Sequence, residues 1–221
     1  MTELVLVPTQ REFDRIRPRL VQKAQNHDCS FQLCGFGPIA AAARTGALLA
    51  RYKPERVMLI GIAGSYVDHL ELGSAYRFDS VACDGVGVSA GKNFQTAGQM
   101  GWHHFSGDDI EPKVGDVIRL DAAYIDGIPS AGLLISCCAA SASQLEASWR
   151  LDRYREAVAE DMEGFGVALA CSLARVPVQI VRGISNRAGD RDLDGWQINQ
   201  ALDAAADFAV DVLARKWIPV P

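Results

Sequence analysis

Short apolar runs alternate with longer stretches of helical spacing along almost the whole chain. Residues 4–7 (Leu-Val-Leu-Val) read as a first strand, edged by Pro8. Residues 11–25 then place apolar side chains at 13, 16, 20, 21 and 24, close to helical spacing, with Pro18 predicted to interrupt the helix. Residues 31–34 read as a strand, and Gly35-Phe-Gly-Pro38 leads into an Ala- and Leu-rich helix over 39–52 that stops before Pro54. The run 56–62 is apolar on both parities after Arg56, the pattern of a strand buried on both faces.

The second half repeats the alternation. Residues 74–86, 133–137 and 178–181 predict strands, and 144–155, 162–175 and 194–215 predict helices. The glycine-rich stretch 85–109 shows little periodicity and reads as a long loop, of the length that is usually functional or mobile. The order implies a three-layer α/β fold: a central mixed, mostly parallel sheet flanked by helices, with right-handed crossovers, in one domain over 1–221. Ligands of such sheets bind beyond the carboxyl ends of the strands. That gathers 9–12, 61–64, 136–141 and 183–186, together with the helix start at Met162-Glu163.

Composition narrows the function. With 221 residues, 49% of them apolar, the chain can bury a core without staples. A net charge of −5 offers no basic face for nucleic acid or an anionic membrane. No apolar stretch approaches the roughly 20 residues of a membrane span, and the start Met-Thr-Glu-Leu has no signal-peptide pattern, so a cytoplasmic protein is expected. Cysteines 29, 34, 83, 137, 138 and 171 form no Cys-x-x-Cys and are expected as buried free thiols. His103-His104 lack metal-ligand spacing, so neither metal nor cofactor is expected. Gly35-Phe-Gly37-Pro-Ile-Ala40 matches a loose dinucleotide pattern, but the next strand ends in Ile62-Ala-Gly64 with no acid for a ribose, which favours a plain strand–helix turn.

Two segments carry chemistry. Asp161-Met-Glu-Gly164 precedes an uncharged stretch over 165–174. Asp161 suits a helix start, whereas Glu163, a carboxylate at the front of a buried helix, is costly unless it is used. Val181-Arg-Gly-Ile-Ser-Asn186 ends the last strand and runs into Arg187, Asp190, Arg191, Asp192 and Asp194, where Asp194 is expected to cap the final helix.

These motifs, with Val7-Pro-Thr-Gln-Arg-Glu12, Gly61-Ile-Ala-Gly64 and Leu72-Gly73, occur in an order that resembles the nucleoside phosphorylase/nucleosidase superfamily along nearly the whole chain. Within it the chain is similar to the purine nucleosidases, including the 5′-methylthioadenosine/S-adenosylhomocysteine nucleosidases. It most resembles the futalosine hydrolases of menaquinone biosynthesis, because Met162-Glu-Gly164 and Ile184-Ser-Asn186 stand where the methylthioadenosine enzymes usually have Met-Glu-Ala and Ile-Ser-Asp. The resemblance implies hydrolysis of an N-glycosidic bond in a small-molecule nucleoside by a homo-oligomer. Glu12 would be the general base on water, Glu163 would hold the ribose hydroxyls and stabilise the cationic sugar, and Asn186 would bond the departing base. Ala63, Gly64, Met162 and Arg182 would contact substrate. Ile62 stands where the adenosine enzymes usually have Ser, and the base-stacking aromatic expected near Ala140 is absent, which leaves Phe165 as a candidate to hold the base. Water or Asp190 would protonate it. Phosphorolysis would need cations converging on phosphate, for which Arg11, Arg44 and Arg182 are available; a non-catalytic nucleoside-binding module would have no use for both Glu12 and Glu163.

Overall fold

Leu4 and Leu6 pack into one core while Val5 and Val7 pack into another, and Val57 and Leu59 divide from Met58 and Ile60 in the same way. Strands that bury both parities need a helical layer on each face. The computed structural model, which describes residues 3–23, 29–107, 110–120, 124–125, 127–215 and 217–218, has that arrangement. Its elements are β1 (Glu3–Val7), α1 (Gln10–Lys23), β2 (Cys29–Leu33), α2 (Pro38–Tyr52), β3 (Arg56–Ser65), β4 (Ala75–Phe78), β5 (Ser80–Asp84), β6 (Val117–Arg119), β7 (Leu133–Cys137), α3 (Gln144–Arg153), β8 (Ala157–Asp161), α4 (Gly164–Ala174), β9 (Val178–Arg187) and α5 (Ile198–Ala214). The nine-stranded sheet runs β6-β5-β7-β8-β3-β1-β2, and β9 adds to β3 and carries β4. Pairing is mostly parallel; β6 with β5, β8 with β3 and β9 with β4 are antiparallel. Helices α2 and α4 cover one face, and α1 and α5 the other.

Several elements differ from the sequence reading, each for a physical reason. Helix α1 runs through Pro18, whose ring lies on the exposed side, where a carbonyl that loses its partner can bond water. The run 74–86 is two strands: at Asp79 the chain leaves β9 and takes β7 as its neighbour, a change of partner that periodicity cannot register. The stretch 85–109 contains short strands and 3-10 turns as well as loop. Strand β8, Ala-Val-Ala-Glu-Asp, was not expected at all, because Ala and acids have weak strand preference and only the buried slot between β7 and β3 makes it one. Strands β3 and β9 run on through the glycine and Ser-Asn motifs that were expected to follow them. Asp194 lies in a 3-10 turn and does not cap α5. Cys138 is exposed and Cys29 half-buried, unlike the other four thiols. Residues 24 and 25 of the first expected helix, and Asp108 and Asp109 of the expected loop, lie outside the described residues.

The contact of α2 with α4 matters most for the site. Gly166, in the first turn of α4, lies so close to α2 that a Cβ there would overlap the Pro38 carbonyl oxygen and come within 3.1 Å of Ala42 N. Gly166→Ala is therefore expected to push the helices apart and cost about 1–3 kcal/mol of stability, as overpacking does. The urea midpoint of the variant should fall with an unchanged m-value.

Candidate active site

Strand β3 sits at a fork in the sheet. Its pairing with β1 ends at Leu59 opposite Leu6, and its pairing with β8 begins at Gly64 opposite Glu160. The backbone between them is left for other partners. Glu12 takes one of these groups, its Oε1 accepting from the Ile62 N–H at 3.3 Å. A cavity of about 530 Å³ opens at this fork, within the size range of small-molecule sites. Glu12, Ala63, Gly64, Met162, Glu163 and Asn186, all named by the sequence, line it.

Glu12 is fixed by the start of its own helix. Thr9 Oγ1 accepts from the Glu12 N–H at 3.4 Å, and Glu12 Oε2 accepts from Thr9 N at 3.1 Å and from Thr9 Oγ1 at 2.6 Å. This Thr-x-x-Glu capping box was readable in the sequence and was missed. It holds the carboxylate rigid at the cavity wall.

Glu163 stands at the start of α4, where the helix end favours an anion. Its Oε1 accepts from the Gly37 N–H at 3.0 Å, so the Gly-x-Gly turn serves a carboxylate and not a dinucleotide. Its Oε2 lies 3.4 Å from Arg182 Nη2. Burial pushes the carboxyl up to about 7, against the pull of Arg182; Asp161 adds to the rise, the Gly37 N–H opposes it and Glu12 adds again.

Beneath Glu163 lies a closed polar cluster. Asp161 Oδ2 accepts from Arg182 Nε at 3.0 Å, from Arg182 Nη2 at 2.5 Å and from Gly164 N at 3.0 Å. Its Oδ1 accepts from Ser136 Oγ at 2.5 Å, and Ser136 Oγ in turn accepts from Phe165 N at 2.7 Å. Arg182 is wholly buried. Burial works against its charge, but Asp161, Glu163 and Glu12 outweigh that and hold the guanidinium above its ordinary value. Arg182 does not line the cavity, so the expected substrate contact is corrected: it is a buried support for two carboxylates. Its Nη1 is buried without a hydrogen-bond partner among the described residues.

Asn186 ends the other wall. Gly64 is in register with Glu160 on one side and Asn186 on the other. Asn186 Oδ1 accepts from Ser185 Oγ at 2.8 Å, and its Nδ2 donates to the Arg187 carbonyl at 2.8 Å. One N–H and one lone pair of the amide remain for a ligand.

Other expectations do not hold. Phe165 does not line the cavity; its ring packs against His104 at 4.9 Å. Asp190 lies outside the lining, and Arg44 is on the exposed side of α2. The aromatic side chains that do line the cavity, Phe36 and Trp196, were not anticipated. Nor was Glu160, which accepts from Ser141 N at 2.8 Å, Ser141 Oγ at 2.6 Å and Tyr66 OH at 2.5 Å and so anchors the wall over 140–142. An acidic pair closing an otherwise apolar run was its only signal. Among the described residues no group of three or more His, Cys, Asp or Glu is placed to hold a metal, and no helix is long and apolar enough to cross a membrane.

Comparison with known proteins gives this geometry its context. The family model described as the phosphorylase superfamily matches residues 4–214. A futalosine hydrolase of Streptomyces coelicolor is 32% identical over 193 residues, covering 84% of this chain and 79% of that protein. Another from Acidothermus cellulolyticus is 32% identical over 185 residues, covering 84% and 75%. The fold is shared with a 5′-methylthioadenosine/S-adenosylhomocysteine nucleosidase of Colwellia psychrerythraea solved with adenine, at a TM-score of 0.76 and 15% identity over 100% of this chain and 98% of that one. The chain therefore belongs to the phosphorylase superfamily, and within it to the nucleosidases, which hydrolyse N-glycosidic bonds.

Proposed function

We propose that this nucleosidase acts on futalosine, releasing hypoxanthine and dehypoxanthine futalosine in menaquinone biosynthesis. Asn186 carries the reading. Its carboxamide has one N–H to give to O6 or N7 of a 6-oxopurine, while Ser185 Oγ takes one of the two lone pairs of its carbonyl oxygen. An ionised carboxylate at this position would instead accept from a 6-amino group and repel O6. The futalosine hydrolase relatives support the same choice.

Cleavage leaves positive charge on the sugar and negative charge on the base. Glu163, buried and tied to Gly37 N, bonds the ribose hydroxyls and opposes the sugar cation in a site of low dielectric. Met162 packs on the sugar face. Glu12 deprotonates the attacking water. A Cβ at Gly61 would overlap Arg182 Nη1 and lie 2.9 Å from Glu12 Oε1, so only a glycine lets the guanidinium and this carboxylate come so close to β3. Asn186, being neutral, bonds the leaving base without protonating it; the proton comes from water, since Asp190 is outside the cavity.

Chromatography after incubation with futalosine, inosine and methylthioadenosine, with and without phosphate, tests the reading. Hypoxanthine should appear from futalosine without phosphate. A strict phosphate requirement, or adenine released from methylthioadenosine at equal efficiency, overturns it.

Glu163→Gln should lower kcat roughly 10²–10³-fold while leaving the protein folded, as removal of an electrostatic stabiliser does. Only the anion helps the cationic sugar, so wild-type kcat should fall as pH drops through about 7, and the variant should lack that acid limb. The same shift opposes stability as pH rises. The folded state holds this proton more tightly than the unfolded chain, so ionisation between the ordinary carboxyl value of 4.5 and about 7 costs folding free energy. Near-wild-type turnover in Glu163→Gln would leave that residue a helix-start group only.

Asn186→Asp should move the ratio of kcat/KM for inosine-type over adenosine-type substrates toward the 6-aminopurine, whatever happens to either value alone. A ratio that stays put removes Asn186 as the base reader.

A further inference from the structure

Basic residues recur at every fourth position of α1: Arg11, Arg15, Arg19 and Lys23. Three of them meet acids on α5. Arg15 pairs with Asp203 at 2.5 Å, Arg19 with Asp207 at 2.7 Å and Lys23 with Asp207 at 2.8 Å. One helical turn nearer the cavity, the position four residues before Asp203 is Asn199, which is uncharged. The ladder of ion pairs thus stops one rung short, and Arg11 reaches the cavity wall with no carboxylate partner among the described residues.

Arg191 is a second such cation. It lines the same cavity with its guanidinium 5.1 Å from the Trp196 ring centroid. The neighbouring acids are occupied by their own loop: Asp190 Oδ1 accepts from Asp192 N at 2.9 Å, and Asp192 Oδ1 from Asp194 N at 3.3 Å. Trp196 also lines the cavity, and its indole Nε1–H is buried without an acceptor among the described residues. A buried donor of this kind is costly unless something accepts from it. Phe36, 65% exposed, adds a second aromatic surface. Two cations and one donor without partners among the described residues therefore line a single cavity that also holds Glu12, Glu163 and Asn186.

We propose that Arg11, Arg191 and Trp196 form a subsite for an anionic 5′ substituent of the nucleoside, a carboxylate or a phosphate. The inference rests on the nucleosidase reading of the same cavity. With the base at Asn186 and the ribose over Glu163, this is the part of the lining left for the 5′ arm. The two guanidinium groups bond the anion, Trp196 Nε1 donates to an oxygen of the arm, and the aromatic faces cover its apolar part. Binding energy gained away from the bond that breaks holds the sugar in place over Glu163.

The test compares wild type with Arg11→Gln, Arg191→Gln and Trp196→Phe on three substrates. These are inosine, inosine 5′-monophosphate and futalosine, whose 5′ arm ends in a benzoate. Wild-type kcat/KM should favour an anionic substrate over inosine, futalosine if the site takes a carboxylate and the monophosphate if it takes a phosphate. Each arginine substitution should lower that preference about tenfold, mainly through KM, and Trp196→Phe should lower it several-fold although the ring is kept. Added salt should weaken the wild-type preference, because both arginines are exposed. Inosine hydrolysed as well as both anions, or a preference that neither arginine substitution moves, overturns the subsite and leaves the nucleosidase standing. Hypoxanthine from none of the three overturns the nucleosidase reading itself.

Discussion

A guanidinium with no exposed surface holds the site together. Arg182 lies under the cavity floor with Asp161 at 2.5 Å and Glu163 at 3.4 Å. A buried carboxylate without such a partner is strongly disfavoured as an ion, and two adjacent carboxylates more so. The cation lets Asp161 stay saturated with hydrogen bonds while Glu163 keeps one oxygen on the Gly37 N–H and the other 3.4 Å from the guanidinium. Removing it would leave an uncompensated pair of acids at the centre of the sheet, a change that typically costs several kcal/mol. Structural and chemical demands therefore fall on the same atoms.

The fold delivers each of these groups through a backbone feature. The fork in β3 frees the Ile62 N–H for Glu12, and the capping box of α1 fixes the other oxygen of that carboxylate. The Gly35-Phe-Gly37 turn presents an N–H to Glu163, and the close approach of α4 to α2 at Gly166 sets how far that N–H can reach. Strand β9 carries both Arg182 and Asn186, and the register shift between Ile184 and Asn186 comes just where its pairing with β3 passes from Ala63 to Gly64. The cavity thus has an acidic floor, an amide at one wall and, in the rest of its lining, two arginines with no ion pair among the described residues.

Much of this could be read before any coordinates. The layered α/β architecture follows from runs such as Val57–Ile62, which must be covered on both sides. Glu163 stood out because an uncharged helix follows it, and Asn186 because it ends an apolar strand. Arg182 was legible as part of the motif but not as buried, since a sequence does not say to which side of a sheet a polar residue turns once partners are available there. Glu160 and Trp196 were missed for a related reason. Neither has a local pattern; Glu160 gains its place from Ser141 and Tyr66, which the chain brings from elsewhere, and Trp196 from a cavity whose other walls come from distant segments.

The sequence by itself determined the alternation of strands and helices, the motifs at the strand ends and the two acids, Glu12 and Glu163, that line the cavity. Those depend on periodicity and on the cost of burying charge, and both are local properties of the chain. Only the tertiary structure decided that 74–86 is two strands, that Glu12 reaches the Ile62 N–H, that Arg182 supports carboxylates from below, and that Arg11 lines the cavity with no ion pair among the described residues. These depend on which residues meet across the sheet and between helices. Long-range pairing is set by the packing of whole layers, and no short window of sequence contains it.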